Sequence, residues 1–566
     1  MCGIFGLITD SYNDFKGILN KSKEILNHRG PDSAGNSVIK LSENNMHIFL
    51  VHTRLQINGS NAKQPIKNKS GTIYLIINGE IFNWHDLEKE LNFKCSQSDC
   101  EIIIPLYEKY KTTPKVIFEK LSGQYSFMLV DLELKTILVA RDHIGITPLY
   151  VGKYNSSTIF SSELKAITET RCFFEHQPAI SIFQPRMYYL DSFDNILDNN
   201  MNHKMKNYLQ LSKFSSNNCI YREENDIEII HQNIRDLLYK SVSSQLIDML
   251  TNINGDFGVL LSGGLDSSLI ASLIVKISKE NGFESNKIKT FSVGINKDSP
   301  DLIAAREVSE FLGTDHYEYY FSIEEGINSL KDVIWYIESY DCTSVRASTA
   351  MYHLTRQIKQ NFPNLKVVYS GELADELLCY LYGANAPNDD AFQDETVHLV
   401  SNVHYFDCCR ANKTCMANSL EVRVPFTDLN YVNYIMSLHP KYKRFGQVNG
   451  FIEKKIVRDS FIGYIPHKVL YRKKEQFSDG VSDFKKENNW IDNLKEYANQ
   501  IYTDDEFDII KNRYTYITPK TKEELLYRNI FNELFNIPSA ELTVKKWTPK
   551  WSDTKDPSGR LQTFYN

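Results

Sequence analysis

The turn Leu260-Leu261-Ser262-Gly263-Gly264-Leu265-Asp266-Ser267-Ser268 constrains the fold of this 566-residue chain more than any other segment. It joins a short apolar run to an amphipathic helical pattern, as a turn between a strand and a helix does. The glycines allow a tight turn, and the serines can cap the helix, whose first N–H groups then form an anion site. Neither the G-x-x-x-x-G-K-[ST] phosphate loop nor the G-x-G-x-x-G dinucleotide fingerprint is present here, so we predict a phosphate site of another type.

A second turn, Ser370-Gly371-Glu372-Leu373-Ala374-Asp375-Glu376, follows another apolar run. On its own, such an acidic run is typical of a solvated helix start. The ends of parallel strands meet at one crevice, however, so we expect Asp266 and Asp375 to face each other there. Two carboxylates beside a phosphate site favour a hard cation, and the sequence therefore predicts Mg²⁺ bound by Asp266 and Asp375.

The chain starts with Met1-Cys2-Gly3. If the initiator methionine is removed, Cys2 carries an α-amino group beside its thiol. An α-amine has a pKa of about 8, so it is partly neutral at pH 7 and can act as the base for that thiol. This arrangement predicts an N-terminal nucleophile, although a cysteine at this position alone also fits a small residue that permits methionine removal.

Composition narrows the classes of protein. A net charge of −7 argues against nucleic acid as a main partner, and anionic substrates must then be held by local basic residues. No apolar stretch approaches about 18 residues, so no membrane span is predicted, and the N-terminus lacks a signal-peptide layout. The ten cysteines form no C-x-x-C pair and have no metal-ligand spacing. They are typical of reduced thiols, which predicts a cytoplasmic protein.

The length predicts two or three domains. Up to about residue 190 we expect short strands at 46–52, 71–77, 125–131 and 136–140, with helices at 13–27 and 101–109. From residue 226 the pattern predicts a parallel sheet with helices on both faces, with strands at 255–262, 288–295 and 367–370 and helices at 267–280 and 301–313. Beyond about residue 380 the pattern is mostly helical. Polar residues 194–225 are interpreted as a linker or surface excursion.

Motifs in both halves carry a family resemblance. In the first half these are Cys2-Gly3-Ile4, Arg29-Gly30-Pro31-Asp32, Asn78-Gly79-Glu80-Ile81-Phe82-Asn83, Ser98-Asp99-Cys100-Glu101, Arg141-Asp142-His143-Ile144-Gly145 and Ser161-Ser162-Glu163-Leu164-Lys165-Ala166. In the second half they are the Ser262–Ser268 turn, which resembles the pyrophosphate loop of N-type ATP pyrophosphatases, together with Arg346-Ala347-Ser348-Thr349, Glu421-Val422-Arg423-Val424-Pro425-Phe426, Lys473-Lys474-Glu475-Gln476 and Asp556-Pro557-Ser558-Gly559-Arg560. With these motifs in order, the chain resembles the glutamine-hydrolysing asparagine synthetases over nearly its whole length.

The resemblance implies an α+β N-terminal nucleophile sandwich (αββα), the class II glutamine amidotransferase domain, in residues 2–193. After the linker at 194–225 it implies an α/β parallel-sheet ATP pyrophosphatase domain with a helical C-terminal extension at 226–540, and a tail at 541–566. The implied reaction is synthesis of asparagine from aspartate, with ATP and glutamine as the other substrates and channelled ammonia between the two sites. Mg²⁺ is the implied cofactor, and a homodimer is a possible assembly.

For glutamine hydrolysis, the resemblance implies that Cys2 attacks the side-chain amide and forms a thioester. Asn78 and the N–H of Gly79 would form the oxyanion hole, whose loss typically lowers a rate by ~10²–10³. The implied glutamine-binding residues are Arg54, Leu55, Gln56, Ile57, Asn58, Asn78, Gly79, Glu80 and Asp99, with Arg54 on the α-carboxylate and Asp99 on the α-ammonium group.

For the second reaction, the resemblance implies attack of aspartate on the α-phosphorus of ATP, giving β-aspartyl-AMP and pyrophosphate. Glu372 resembles the glutamate needed around intermediate formation and ammonia attack, and Lys454 the lysine that stabilises phosphate charge. Without the resemblance, Lys454 would be interpreted as a surface lysine on a basic helix. The implied ATP-binding residues are Leu261, Ser262, Gly263, Gly264, Asp266, Ser267, Val293, Ser370 and Gly371, and the implied metal ligands are Asp266 and Asp375.

Two departures from the family pattern lie close together. Leu373 stands where glycine is usual, and Leu378-Cys379-Tyr380 replaces a longer Phe-Gly-Gly-Tyr-like segment. We expect the shortened segment to let Leu373 take an ordinary right-handed conformation in which leucine is comfortable.

Two alternative functions remain open at this point. One is a degenerate synthetase that binds a nucleotide or a partner, and the other is a related enzyme that amidates another carboxylate. Retention of Cys2 disfavours the second, because the β-lactam-forming relatives tend to lack this nucleophile.

Overall fold

The computed structural model describes residues 1–11, 14–41, 46–57, 62–96, 98–197, 204–211, 214, 227–252, 256–445, 452–472, 474, 477–482, 489–552 and 556. They divide into two compact units. The first consists of Met1–Gln210, Met416–Ser419 and Asn532–Val544, and the second of Leu211–Cys415, Leu420–Phe531 and Lys545–Asn566. Within the described ranges, no helix combines the length and the apolar character needed to cross a bilayer. The domain boundaries given above stay predictions, since most of residues 194–225 lie outside the described ranges.

The first unit contains two six-stranded sheets with antiparallel pairing. One sheet has the order β10-β8-β9-β1-β3-β2 and the other β12-β11-β7-β6-β5-β4. The strands are β1 Gly3–Thr9, β2 Ser33–Leu41, β3 Met46–Arg54, β4 Ile66–Lys67, β5 Ile73–Ile81, β6 Gly123–Asp131, β7 Thr136–Arg141, β8 Tyr150–Tyr154, β9 Ser157–Ser161, β10 Ala179–Ile182, β11 Met187–Ser192 and β12 Lys206–Asn207.

Apolar side chains from both sheets form one shared core. Ile4 on β1 and Ile48 on β3 belong to the same buried cluster as Ile76 on β5 and Met128 on β6. A second cluster lies on the other face of the β5–β6 sheet, where Phe127 packs with Tyr107 and Phe118 from two helices. The helices of this unit are α1 Phe15–Leu26, α2 Trp84–Leu91, α3 Ile103–Tyr110, α4 Lys115–Lys120 and α5 Leu164–Thr170. The predicted αββα sandwich is therefore confirmed.

The second unit is built on a five-stranded parallel sheet with the order β15-β14-β13-β16-β17. Its strands are β13 Phe257–Leu260, β14 Lys289–Gly294, β15 Asp315–Tyr320, β16 Val367–Tyr369 and β17 Glu421–Arg423. The prediction of a parallel sheet is confirmed. The central strand β13 is fully buried and lies beside β14 and β16, so the turns after these three strands emerge at one edge of the sheet.

Helices dominate the remainder of the chain, as the sequence predicts. They are α6 Ile227–Asn252, α7 Leu265–Glu280, α8 Pro300–Leu312, α9 Ile323–Asn328, α10 Leu330–Ile337, α11 Cys342–Asn361, α12 Ala374–Leu378, α13 Asp389–Asn402, α14 Asp407–Ala417, α15 Leu429–Ser437, α16 Pro440–Lys443, α17 Lys455–Ser460, α18 His467–Leu470, α19 Phe477–Gly480, α20 Trp490–Ile501, α21 Asp504–Ile510 and α22 Lys522–Phe535.

Candidate functional site

Cys2 lies directly before β1, which places it at the end of a central strand of the first sheet. The residue is buried, with 7% of its surface exposed. Its backbone N–H donates to Oδ1 of Asn78 at 2.8 Å. Asn78 lies on β5 of the facing sheet, so the two sheets together bring the predicted nucleophile against a predicted oxyanion-hole residue.

A buried ionic cluster holds the main chain at Cys2. Nε of Arg29 donates to the carbonyl oxygen of Cys2 at 2.9 Å, and Nη1 of Arg29 binds Glu163 at 2.5 Å. Lys165 binds the second oxygen of Glu163 at 2.6 Å. Burial lowers the pKa of the neighbouring His28 to about 4, so this imidazole is neutral at pH 7. Arg29 and Lys165 are thus charged partners of Glu163. Because Glu163 holds the Arg29 side chain in place, the hydrogen bond from Arg29 also fixes the position of the Cys2 carbonyl.

The Asn78–Gly79 segment offers donors beside Cys2. Nδ2 of Asn78 is buried and has no hydrogen-bond partner among the described residues. A side chain at Gly79 is excluded, because a Cβ there would lie 2.1 Å from the carbonyl oxygen of Gln124 on the neighbouring strand. An amide donor in a buried position without an acceptor is suited to stabilising a negative oxygen that forms during a reaction.

A second cysteine lies close to these donors. Sγ of Cys100 is 3.5 Å from the carbonyl oxygen of Gly79. Burial raises the pKa of the Cys100 thiol well above its ordinary value, and Asp99 raises it further. Cys100 therefore remains a thiol, and it does not compete with Cys2 as a nucleophile.

The predicted glutamine-binding residues occupy three neighbouring segments. Arg54 ends β3 and is 7% exposed, and Leu55 and Ile57 follow it as buried residues. The N–H of Gln56 donates to Asp32 at 2.7 Å. Asp99 is buried and accepts a hydrogen bond from the N–H of Ile81 at 2.7 Å, one residue beyond Glu80 on β5. Asn58, the last predicted member, lies outside the described residues.

The glycine-rich turn of the second unit has the predicted strand–turn–helix form. It connects β13 to α7, and hydroxyl groups close it: Oγ of Ser267 accepts from the N–H of Ser262 at 3.2 Å, and Oγ of Ser262 accepts from the N–H of Gly264 at 3.3 Å. Gly263 has φ +69°, and a Cβ on it would lie 2.4 Å from the N atom of Ala305. A residue with a side chain cannot replace this glycine without shifting the backbone of α8.

The second predicted turn packs directly on the first. A Cβ on Gly371 would lie 2.7 Å from the N atom of Ser267 and 2.8 Å from the carbonyl carbon of Asp266. Ser370 is held by a hydrogen bond from its N–H to the carbonyl oxygen of Arg423 at 2.9 Å. On the other side, Leu261 donates to the carbonyl oxygen of Phe291 on β14, the strand that also contains Val293. The structure thus brings the predicted ATP-binding residues to one edge of the sheet.

Two lysines join the predicted metal ligands. Nζ of Lys454 lies 2.5 Å from Oδ2 of Asp266 and 2.7 Å from Oδ1 of Asp375. Nζ of Lys474 lies 2.8 Å from Oδ2 of Asp375. Burial alone would raise the pKa of Asp375, but the two lysines hold it well below its usual range. Asp375 therefore stays ionised, and Lys454 is a buried member of the site and not a surface residue.

The same aspartates are suited to a cation. Oδ1 of Asp266 is buried and has no hydrogen-bond partner among the described residues. Within these ranges, no group of three or more His, Cys, Asp and Glu side chains could hold a metal on its own. Mg²⁺ is commonly bound by one or two protein carboxylates together with substrate phosphates. The arrangement therefore fits a cation that binds together with a phosphorylated substrate.

A cleft of about 480 Å³, partly open to solvent, adjoins these groups. Its wall includes Ser262, Gly264 and Asp266 from the first turn, and Phe477 from α19. Two further ion pairs lie in the wall, Arg472 with Asp301 at 3.0 Å and Arg458 with Glu453. Most of the residues in the wall are charged or polar.

A third acidic group, next to the second turn, includes residues to which the sequence analysis gives no role. Nη2 of Arg410 donates to Oε2 of Glu372 at 2.9 Å and to Oδ1 of Asp407 at 2.7 Å. Burial raises the pKa of Glu372 to about 7, and Arg410 limits that rise. The hydroxyl of Tyr380 is 2.7 Å from Glu376 and 2.8 Å from Asp407. Spacing could not reveal this group, because Asp407 and Arg410 resemble an ordinary exposed (i, i+3) pair on a helix.

The prediction for Leu373 is wrong. Its φ is +78°, and Cys379 at the other end of the same short helix also has a positive φ, +58°. Leu373 thus keeps the backbone that a glycine would take, at a cost of about 1–2 kcal/mol. The shortened segment does not remove this requirement, and burial of the leucine side chain, which is 1% exposed, offsets the strain.

This conformation predicts an unusual order of stabilities. Leu373→Gly and Leu373→Ala both lose the buried side chain, but only alanine keeps a Cβ at positive φ. We expect the glycine variant to be more stable than the alanine variant by about 1 kcal/mol, measured as the difference in the free energy of unfolding in urea. The matched control is Leu377, which is equally buried and lies on the adjoining helix without a positive φ. At this position Leu377→Ala should be more stable than Leu377→Gly by about 1 kcal/mol. The same order at both positions would contradict the assignment of strain to Leu373.

Comparison with known proteins covers the whole chain. Residues 1–181 match the family model described as a glutamine amidotransferase domain, and residues 233–387 and 381–556 match the model described as asparagine synthase. The probable glutamine-hydrolysing asparagine synthetase of Schizosaccharomyces pombe is 38% identical and covers 99% of both chains. Asparagine synthetase B of Escherichia coli is 37% identical over 99% of this chain and 98% of its own. For the asparagine synthetase of Zea mays the identity is 36%, over 99% and 93%. The chain belongs to the glutamine-hydrolysing asparagine synthetases.

Proposed function

We propose that the first unit hydrolyses glutamine at Cys2 and that the cleft of the second unit activates aspartate with ATP. The overall reaction, glutamine-dependent asparagine synthesis, follows from the full-length family match. Two groups of residues support this division most directly. One is a cysteine beside an amide donor that has no partner among the described residues, and the other is a phosphate-type turn beside two lysines.

At the first site, the thiol of Cys2 attacks the amide carbon of glutamine, and its own amine takes the proton. The negative oxygen of the tetrahedral intermediate is stabilised by Nδ2 of Asn78 and the N–H of Gly79. Ammonia leaves, and water then releases glutamate from the thioester. Arg29 contributes indirectly, because it fixes the carbonyl of Cys2 and thereby orients the nucleophile.

The same proposal assigns the binding of glutamine to charged groups around Cys2. Arg54 binds the α-carboxylate, since a guanidinium can bind both carboxylate oxygens. Asp99 and Glu80 bind the α-ammonium group. Leu55, Gln56 and Ile57 contact the rest of the glutamine, and Asn58 stays a predicted member of the binding set.

At the second site, an oxygen of the aspartate β-carboxylate forms a bond to the α-phosphorus, and the bond to pyrophosphate breaks. The N–H groups of residues 262–267 bind phosphate, and backbone groups of Leu261, Val293, Ser370 and Gly371 contact the adenosine. Lys454 stabilises the negative charge that develops on the phosphate oxygens. Asp266 and Asp375 would hold Mg²⁺, which would neutralise phosphate charge when it is bound.

Ammonia then attacks the acyl carbon of β-aspartyl-AMP, AMP leaves, and one proton must be removed from the new nitrogen. Glu372 is the proposed base. Its raised pKa of about 7 suits this task, because a base is most effective when its pKa is near the working pH.

This assignment predicts the pH dependence of amide formation. The base acts in its ionised form, so the rate should fall by about tenfold per pH unit as the pH drops below about 7. Hydroxylamine is the appropriate nucleophile because it is a much weaker base than ammonia, and each rate is divided by the neutral fraction of hydroxylamine, which falls at the acidic end of the range. The measurement is the rate of hydroxamate formation between pH 5.5 and 8.5. The fall in rate below about pH 7, the acidic limb of this profile, should disappear in Glu372→Gln. A limb that persists in this variant would show that another group is the base.

Product analysis tests the proposed function as a whole. Incubation with glutamine, aspartate and Mg-ATP should yield asparagine, glutamate, AMP and pyrophosphate in equal amounts. Glutamate without pyrophosphate would favour a degenerate synthetase, and pyrophosphate only with another acid would favour a different acceptor. Leu373 is the one observation that favours the degenerate alternative, and a cytoplasmic location and a homodimer stay predictions.

A further inference from the structure

Arg410 is a buried cation whose hydrogen-bonding capacity is only partly used. It lies on α14 with 7% of its surface exposed. Its nitrogen Nη2 serves both Glu372 and Asp407. Nε, by contrast, is buried and has no hydrogen-bond partner among the described residues. A buried donor without an acceptor is unfavourable, so this edge of the guanidinium is suited to a group that arrives with a ligand.

Arg346, another arginine of the same unit, uses both nitrogens of one guanidinium edge in hydrogen bonds. In Arg346, Nε and Nη2 both bind Glu523, at 2.7 and 2.6 Å, in the two-point geometry that guanidinium and carboxylate groups favour. Both arginines are almost fully buried. The difference is that Arg410 shares one nitrogen between two carboxylates and leaves Nε for a third.

The location of Arg410 connects it to the cleft. Its guanidinium carbon lies 5.9 Å from the ring of Phe477, which is part of the cleft wall together with the turn at residues 262–266. Glu372, its partner, directly follows Gly371, which packs on Asp266 and Ser267. The phosphate-facing cations, Lys454 and Lys474, already bind Asp266 and Asp375. Arg410 is therefore beside the cleft and apart from the two lysines that bind Asp266 and Asp375.

We propose that Arg410 binds the α-carboxylate of the acceptor aspartate and so selects the substrate of the second unit. The inference rests on the proposed function, because it requires aspartate to react in this cleft. The α-carboxylate does not take part in the reaction, and it distinguishes aspartate from other short acids that carry the same reacting carboxyl group. With this group on Arg410, the acyl carbon, three bonds from the α-carboxylate carbon, lies towards Glu372, which shares the same guanidinium.

The alternative role for Arg410 is that of a counter-ion that only keeps Glu372 and Asp407 ionised. The two roles differ in their dependence on the substrate. A counter-ion affects every acceptor equally, whereas a carboxylate-binding residue affects only an acceptor that has the α-carboxylate. β-Alanine is aspartate without this group, so it is the probe that separates the two roles.

The experiment compares Arg410→Gln and Arg410→Lys with the full-length wild type, using pyrophosphate release with ammonia as the nitrogen source. For aspartate we expect kcat/KM to fall by about 10²-fold in Arg410→Gln, through a raised KM, as is usual when one partner of a buried charge pair is truncated. For β-alanine we expect kcat/KM to change less than about threefold. Arg410→Lys keeps the charge but not the two-point geometry, and should lie between these limits for aspartate.

Equal losses with aspartate and β-alanine would overturn the proposal and leave the counter-ion role. If β-alanine is not turned over, the KM values decide: a raised KM for aspartate with an unchanged KM for ATP supports the proposal, and a fall in kcat alone overturns it. Arg306→Gln is the matched control and should behave as the wild type, because Arg306 pairs with Glu318 and is not one of the residues that line the cleft. A wild type that releases no pyrophosphate with aspartate would refute the proposed function itself, which is a separate outcome.

Discussion

Replacing Cys2 by alanine should abolish glutamine-dependent asparagine synthesis, by at least ~10³-fold, while ammonia-dependent synthesis stays within about twofold of the wild type. The reason is chemical: only the thiol can form the γ-glutamyl thioester, and external ammonia enters the reaction after that step. Asparagine formation with each nitrogen source, measured side by side, gives both rates. Mass spectrometry of the purified N-terminus should show that Met1 has been removed, because a retained methionine converts the amine of Cys2 into an amide.

Cys172→Ala is the appropriate control, since Cys172 is an exposed cysteine of the same unit. It should leave both activities unchanged. A Cys2→Ala enzyme that still used glutamine at the wild-type rate would remove Cys2 from the mechanism. Loss of both activities would indicate instead that the substitution damages the fold, and unfolding curves would identify that case.

The second large effect is expected for Asp266→Asn, which should lower pyrophosphate release by ~10²–10³-fold at limiting Mg²⁺. Asparagine keeps the size of the side chain but removes the charge that binds both Lys454 and the proposed cation. The Mg²⁺ concentration for half-maximal rate should rise, and glutaminase activity, which depends on the other unit, should not change. Pyrophosphate release titrated with Mg²⁺ at fixed ATP measures both quantities.

Asp504→Asn provides the comparison, because Asp504 is also paired with a lysine, Lys522, but is 93% exposed. Exposed ion pairs contribute little to stability, so this variant should have the same Mg²⁺ dependence of pyrophosphate release as the wild type. If Asp266→Asn kept the wild-type Mg²⁺ requirement, Asp266 would not be a metal ligand. Asp266 would then serve only as the ion-pair partner of Lys454.

Those parts of the fold that depend on local pattern could be predicted from the sequence. The turn at residues 260–268 was predictable, because glycine and serine have direct backbone consequences at a helix start. β15 and β17 were not among the predicted strands, for different reasons. β15 is an edge strand whose side chains are mostly half-exposed and polar, and β17 has only three residues, too few for a periodic signal.

The parts of the site that depend on tertiary contact could not be predicted in this way. Lys454 was found only by resemblance, since nothing in its neighbourhood distinguishes it from a surface lysine before the fold brings it to Asp266. Arg29 and Glu163 were visible as motif residues, but their contact with Cys2 joins positions far apart in the chain. The error at Leu373 has a physical reason as well: the cost of a positive φ is small enough for burial of one leucine to offset it.

The charges of the second unit's cleft have a consequence for how a nucleotide reaches it. Among the described residues in and beside the cleft, four cations are matched by four carboxylates, and each of the eight is in an ion pair: Lys454, Arg458, Arg472 and Lys474 with Asp266, Glu453, Asp301 and Asp375. Such a neutral set produces little long-range attraction for a polyphosphate, and the chain as a whole is negative. Nucleotide association should therefore be slow compared with electrostatically steered binding and nearly independent of ionic strength, because binding exchanges ion partners within the cleft after contact.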